Sequence, residues 1–305
     1  MRFTIYQESR RGQRKNNEDR LAYCYSRDAL LLVVADGMGG HYYGEVAAQI
    51  AVQTLANAFQ QEARTMLEDP FWFLQKHINN AHHAISAYSE AHRLKDSPRT
   101  TIVACVIQEN IAYWAHAGDS RLYLIHQGRI ASQTRDHSQV QMLLDEGMIS
   151  REQAETHPER NKVYSCLGGS HPPEVECSRK TPLHSGDLLV LCTDGLWGVT
   201  PGDIMAQSLQ HSDLVRAASQ MMDRAEEWGG AQGDNLSLIT VRWEEDYEER
   251  SPSIVSTLSM GPSEFTTRME EFGRDPGYKS ELSDDEIERA IDEIRAAIDK
   301  ISFRK

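Results

Sequence analysis

Two kinds of apolar pattern run along the chain. In residues 44–63 and 71–92 the apolar positions fall mostly at three- and four-residue steps, with Val46, Ile50 and Leu55 on the first stretch and Leu74, Ile78, Ala81, Ile85 and Tyr88 on the second. That spacing keeps apolar side chains on one face of a 3.6-residue repeat and predicts two amphipathic helices. Elsewhere, short runs rich in Val, Ile and Leu predict strands over 21–25, 30–35, 102–107, 111–117, 121–126, 188–192 and 236–243. Connections as short as Gln108-Glu109-Asn110 leave no room for a crossover, so neighbouring strands are expected to pair antiparallel. The expected class is α/β, with two mainly antiparallel sheets and helices outside them.

Past Glu244 the pattern changes. Residues 251–260 are Ser/Thr-rich without a helical repeat and Asp275-Pro276-Gly277 is a turn, so 245–280 reads as a linker or loosely ordered segment. Ser283 then offers an N-cap with Glu286 three residues on, and Leu282 and Ile287 are spaced for a hydrophobic staple. Ile287, Ile291, Ile294, Ile298 and Ile301 follow at alternating steps of four and three, drawing one apolar stripe along a charged helix. The expected organisation is a domain over 1–244, the segment 245–280 and an amphipathic helix over 281–305. The stripe must be buried, either in cis against the domain or in trans by a partner protein or a second copy; two heptads are short for an autonomous coiled coil.

Composition narrows the class. At 305 residues and 40% hydrophobic content the chain can bury one substantial core and carry an appendage. No run approaches the roughly 18 apolar residues of a membrane span, and the polar start Met1-Arg2-Phe3-Thr4 does not read as a secretory signal. The expected location is cytoplasmic. Cys24, Cys105, Cys166, Cys177 and Cys192 show no metal-type pairing and read as small core residues in a reducing compartment. The excess of 46 acidic over 32 basic residues, a formal charge of −14, repels nucleic acid and anionic membranes, so neither is expected as a partner.

Four of the acids stand apart: Asp36 in VVADGMGGH, Asp119 in HAGDSRLYL, Asp194 in LLVLCTDGLWG and Asp234 in QGDNLSLITV. Each closes or opens an apolar run with glycine beside it, which places it at a strand end where backbone and carboxylate can approach a common point. One Asp-Gly alone reads most simply as a hairpin turn. Four acids in such apolar settings weaken that reading, because oxygen ligands converging from sheet edges make a site for Mg or Mn. Upstream, Arg14-Lys15-Asn16-Asn17-Glu18-Asp19 combines a guanidinium fork suited to phosphate with two acids able to hold a cation directly or through water. On local grounds alone it is a solvated charged turn.

Taken in order, R-x-x-N-E-D (Arg14 to Asp19), D-G-M-G-G-H (Asp36 to His41), G-D-S-R (Gly118 to Arg121), D-G-L-W (Asp194 to Trp197) and G-D-N (Gly233 to Asn235) resemble the metal-dependent type 2C Ser/Thr protein phosphatases in their bacterial form. The resemblance spans about residues 1–244. It includes a sixth element, from Asp136-His137-Ser138 through Glu146-Gly147 to His157-Pro158-Glu159-Arg160-Asn161, similar to the family's flap region. It implies an αββα sandwich of two mainly antiparallel sheets flanked by helices, here with a C-terminal helical appendage. It also implies hydrolysis of phosphoserine and phosphothreonine on proteins with two or three divalent cations, Mn or Mg.

By the same resemblance, Asp36 bridges two cations and the Gly37 carbonyl completes the shell of one. Asp194 and Asp234 hold the first cation, Glu18 and Asp19 act on the second through water, and Asp119, helped by Asp194, serves a weaker third. Arg14 holds the substrate phosphate. Two cations sharing a water lower its pKa, so the implied nucleophile is a bridging hydroxide attacking phosphorus in line. The chain agrees in having no G-x-S-x-G elbow and no C-x5-R phosphate loop. The implied partners are a phosphorylated protein and a cognate bacterial Ser/Thr kinase.

Three positions depart from the family pattern. Met38 follows Asp36-Gly37 where many eukaryotic members have histidine close by, and the nearest histidine here, His41, reads as structural rather than as a proton donor. Pro98-Arg99-Thr100-Thr101 stands where Gly-Thr-Thr is common, and Arg99 reads as a solvated loop arginine, with a phosphate contact as the other reading. Gly198 follows D-G-L-W in place of a polar residue. His82 and His83, mid-helix, read as surface and packing residues. The alternative to an enzyme is a catalytically weak phosphopeptide- or metal-binding module that recruits partners through its C-terminal helix. The joint presence of Arg14, Glu18, Asp36, Asp119, Asp194 and Asp234 favours the enzyme, since a binding module has no need of a complete two-cation set.

Overall fold

Strands that read as unbroken apolar runs do so because both of their faces are buried. In the computed structural model, β3 (Ala29–Ala35) sends Leu30, Leu32 and Val34 to one side and Leu31, Val33 and Ala35 to the other. β4 (Ile102–Gln108) and β10 (Leu188–Cys192) divide in the same way, so none of the three has a polar face to show. The structure describes residues 1–38, 43–155, 157–160 and 162–245. His41, nearly all of the segment 245–280 and the whole of 281–305 lie outside these.

The first sheet runs β1 (Phe3–Arg10), β11 (Leu236–Trp243), β10, β6 (Arg121–His126), β7 (Arg129–Gln133). The second runs β2 (Arg20–Tyr25), β3, β4, β5 (Ile111–Ala117), β8 (Glu176–Cys177), with β9 (Thr181–Pro182) also on β5. Every pairing is antiparallel, as the short connections predicted. Between β4 and β5, Glu109 and Asn110 both take positive φ, of 53° and 58°, the twist a tight hairpin requires.

Three apolar clusters define the layers. One lies between the sheets, built on Leu32, Val34, Cys105, Leu191, Ile239 and Trp243. A second packs α1 (Gly44–Glu62) and α2 (Pro70–Ala91) on the outside of the second sheet, through Ala48, Leu55, Leu74, Ile78 and Ile85. The third packs α6 (Gly202–Ser208) and α7 (Leu214–Gly229) on the outside of the first, through Met205, Leu214, Met221 and Met222. The result is the αββα order. Shorter helices α3 (Gln139–Asp145) and α4 (Arg151–Glu155) follow β7, and α5 (Asp194–Trp197) follows β10.

The two expected helices and the seven expected strands are all present, within a residue or so of their ends. α2 begins at Pro70 because Asp69 accepts from the N–H groups of Phe71 and Trp72, and proline suits the first helical position. Among the elements the pattern did not announce are β1 and β7, both edge strands of mixed polarity, and α7, whose buried face rests largely on Ala217, Ala218, Ala225, Met221 and Met222. His82 is buried and accepts from the Gly168 N–H at 3.1 Å, while His83 is exposed. Of the cysteines, Cys105 and Cys192 are core residues, whereas Cys24, Cys166 and Cys177 are only half-buried; all five are free thiols. Among the described residues no helix is long and apolar enough to cross a membrane.

Candidate active site

Asp36 follows β3 directly, and its backbone is clamped by the two threonines that precede β4. Its N–H donates to Thr101 Oγ1 at 3.2 Å, and its carbonyl accepts from Thr101 N at 2.9 Å and Thr100 Oγ1 at 2.8 Å. Thr101 Oγ1 pairs in turn with Ser120 Oγ at 2.7 Å, tying the clamp to the G-D-S-R turn. Next to Asp36, Gly37 lies against Gly44 at the start of α1. A Cβ on Gly37 would stand 2.4 Å from the Gly44 carbonyl carbon, and one on Gly44 would stand 2.4 Å from Glu18 Oε2 and 2.9 Å from the Gly37 carbonyl carbon. Strand end, helix start and Glu18 therefore meet where only glycine leaves room.

Asp119 is reached through Gly118, whose φ of +115° suits glycine. The Asp119 carbonyl accepts from Trp197 Nε1 at 2.9 Å. Arg121 lies over the Trp197 ring, 3.5 Å from its centroid, and grips buried Asp136 with two bonds of 2.8 and 2.7 Å. One guanidinium thus joins the G-D-S-R, D-G-L-W and flap-like elements.

Asp194 opens α5 after Thr193, whose Oγ1 donates to Asp19 Oδ2 at 2.9 Å and accepts from Ser237 N at 3.1 Å. Gly195 lies so close to β11 that a Cβ there would be 2.0 Å from the Asn235 carbonyl oxygen. Asn235 fastens the N-terminal loop: its Nδ2 donates to the carbonyls of Arg11 (2.8 Å) and Asn16 (2.9 Å), and its Oδ1 accepts from the Glu18 N–H (2.8 Å). That loop presents Arg14, which pairs with Asp234.

The site is therefore a cup of acids. Asp19 and Asp119 are buried at 2% and 5% exposure, and Asp36 and Asp194, which lie within hydrogen-bonding reach of each other, are half-buried. Burial, then the charges of neighbouring aspartates, hold the Asp36 and Asp119 carboxyls well above the usual range. Asp194 is raised by burial and by Asp234, and Asp19 is pushed up to about 7 by burial and its acidic neighbours. Glu18 is raised by burial and by Glu45. Glu18 Oε2 and Asp19 Oδ1 are buried without a hydrogen-bond partner. Arg14 is the cation beside these acids, and it is 55% exposed. Orphaned carboxylate oxygens and mutual repulsion fit a site for hard divalent cations, whose oxygen ligands they would be.

The sequence-predicted residues Arg14, Glu18, Asp19, Asp36, Gly37, Asp119, Asp194 and Asp234 are all brought to this one end of the two sheets. Gly44, Thr101 and Thr193 complete their support without having been singled out for it. Arg121, Trp197 and Asn235 were legible only as the last letters of G-D-S-R, D-G-L-W and G-D-N. Arg99 is corrected: it is half-buried rather than solvated, its carbonyl accepts from Met38 N at 3.0 Å, and its Nε is buried without a partner.

The chain matches the family model described as protein phosphatase 2C over residues 6–237. It is 34% identical over 231 residues to a serine/threonine phosphatase, stp, of Listeria monocytogenes serotype 4b, covering 75% of this chain and 90% of that protein. The solved Streptococcus agalactiae serine/threonine phosphatase superposes with a TM-score of 0.71 at 29% identity, covering 80% of this chain and 100% of that one. The solved catalytic domain of the serine/threonine protein phosphatase PstP, in complex with two manganese ions, gives 0.68 at 31% identity, covering 80% and 99%. Matching over most of its length, with the five motifs gathered at one site, the chain belongs to the protein phosphatase 2C family of metal-dependent Ser/Thr protein phosphatases.

Proposed function

We propose that this phosphatase works through two divalent cations held by Asp36, the Gly37 carbonyl, Asp194 and Asp234, with Glu18 and Asp19 acting through water and Asp119 serving a third cation more weakly. The observation that carries the reading is the convergence of these carboxylates, with buried orphan oxygens on Glu18 and Asp19, beside one rim guanidinium. When bound, Mn or Mg would lower the pKa of a shared water and offset charge on the phosphoryl oxygens. The Thr100-Thr101 clamp fixes Asp36, and Trp197 fixes the backbone of Asp119, so the acids need no rearrangement to receive charge. Arg14 binds the substrate phosphate from the rim, since its planar fork has donors beyond the one given to Asp234.

The substrate is a protein phosphorylated on Ser or Thr, which places a Ser/Thr kinase opposite this enzyme. Free thiols at all five cysteines support a reducing, cytoplasmic setting. The amphipathic stretch 281–305, beyond the family match that ends at 237, is read as a docking element for a partner or a second copy. The alternative of a weak binding module gains nothing from the complete acid set. The test is hydrolysis of a phosphothreonine peptide and a small aryl phosphate with Mn and after chelation. Both activities should need the metal, and Asp36→Ala should reduce them to background with the fold intact; full turnover of that variant in chelator would sink the assignment.

A further inference from the structure

The strands that carry Asp119 and Asp194 at one end carry a second ligand set at the other. β6 ends at His126, and β10 begins just after Asp187, with Ile125 opposite Leu188 in the ladder. At about 3.3 Å per residue, the six residues of β6 put this pole roughly 20 Å from the catalytic one. His184 joins from the turn before β10, where Asp187 Oδ2 accepts the His184 N–H at 2.9 Å and Asp187 N donates back to the His184 carbonyl at 3.0 Å. The two rings and the carboxylate line a shallow cavity with Gln127, Ser185 and Gly186.

We propose that His126, His184 and Asp187 form a second metal site, of transition-metal type, separate from the catalytic cations and suited to Zn. One nitrogen of each ring and one Asp187 oxygen lie within 4.8 Å of one another. His126 Nδ1 is already 2.7 Å from Asp187 Oδ1, and His184 Nδ1 is 3.7 Å from Oδ2. Ligands of one tetrahedral zinc stand about 3.3 Å apart, so the His126–Asp187 pair would open slightly and the half-exposed His184 ring would swing in.

The charge also fits. Asp187 is 3% exposed, and among the described residues its ion-pair partners are these two rings alone. Neutral imidazoles leave that buried carboxylate without a full counter-charge, which a divalent ion supplies. With Nδ1 as the ligand atom, the ring proton of a neutral His126 would sit on Nε2, so no proton need be lost. Two imidazoles and a carboxylate suit zinc better than the Mg or Mn of an all-oxygen centre, and the fourth position is open to water.

Another grouping, His116, His137 and Glu176, lacks this fit. His137 Nδ1 accepts from the Gly118 N–H at 3.3 Å, so the ring proton sits on Nε2, the nitrogen that faces Glu176.

The experiment is equilibrium dialysis of the full chain against Zn with Mn in excess. Wild type should hold one zinc per chain at least ten-fold more tightly than His184→Ala or His126→Gln. Both variants should keep Mn-dependent hydrolysis of an aryl phosphate, and Asp36→Ala should keep the zinc. Equal zinc affinity in wild type and both histidine variants would overturn the proposal, as would loss of the zinc in Asp36→Ala alone.

Discussion

Asn235 shows how one side chain with no place in the chemistry can set it. It is 6% exposed, and its three hydrogen bonds hold the loop that carries Arg14 and Glu18. Asn235→Asp keeps the shape but turns a donor into an oxygen facing two carbonyls. Each buried group left unpaired costs about 1–3 kcal/mol. The expected result is a lower unfolding midpoint and a Mn dependence moved at least ten-fold to higher concentration, read from aryl phosphate hydrolysis. An unaltered Mn titration would show that the strand ends alone position the loop. Arg121 acts on the same principle: its bidentate grip on Asp136 and its stacking on Trp197 bear on the backbone of Asp119 rather than on its carboxylate.

At the scale of elements, the decisive contact is between the end of β3 and the start of α1. Propensity alone favours alanine over glycine in a helix by about 1 kcal/mol. Here sterics oppose it. A Cβ on Gly37 meets rigid backbone, the Gly44 carbonyl carbon and oxygen both at 2.4 Å, whereas one on Gly44 first meets the movable end of Glu18. Gly37→Ala should therefore be the worse change, with activity lost and the melting midpoint lowered, and Gly44→Ala should mainly weaken Mn binding. Calorimetry with Mn titration of both variants checks the order; a Gly37→Ala enzyme of normal Mn affinity would mean that α1 can slide away at little cost.

For the whole molecule, the acid cup makes stability depend on its ligand. Asp19 has a folded-state pKa of about 7, against 3.8 for an ordinary aspartate, and Asp36 and Asp119 are raised too. A raised carboxyl contributes stability fully present below the unfolded pKa and lost as pH rises through the folded one. In chelator, the urea midpoint should therefore fall between about pH 4 and 7. With Mn the trend should reverse toward pH 7, because cations bind the deprotonated acids; identical pH profiles with and without Mn would contradict the cup as a cation site. At the same scale, removing residues 246–305 should leave aryl phosphate hydrolysis nearly intact while changing oligomeric state or turnover of a protein substrate. Unfolding of the truncated chain would make that segment part of the core instead.

The layered fold was legible because its causes are local. Apolar positions at helical steps in α1 and α2, unbroken apolar runs in β3, β4 and β10, and turns of two or three residues each constrain what neighbours in sequence can do. Edge strands β1 and β7 escaped because an edge keeps polar faces; α7 was passed over although Leu214, Ala217, Ala218, Met221, Met222 and Ala225 recur at helical steps opposite a charged face. Asp36, Asp119, Asp194 and Asp234 were legible too, since aspartates beside glycine at the ends of apolar runs are costly unless used, whereas Glu18 and Asp19 were reached only through the family resemblance. What holds them was decided only by tertiary structure. The bond from Glu18 N to Asn235 Oδ1 spans 217 positions, that from Thr193 to Asp19 spans 174, and the Gly37–Gly44 contact depends on how a helix lands on a strand end. Periodicity and composition say which residues must be covered; they are silent on which distant backbone covers them, because that is set by how the two sheets and their helices pack together.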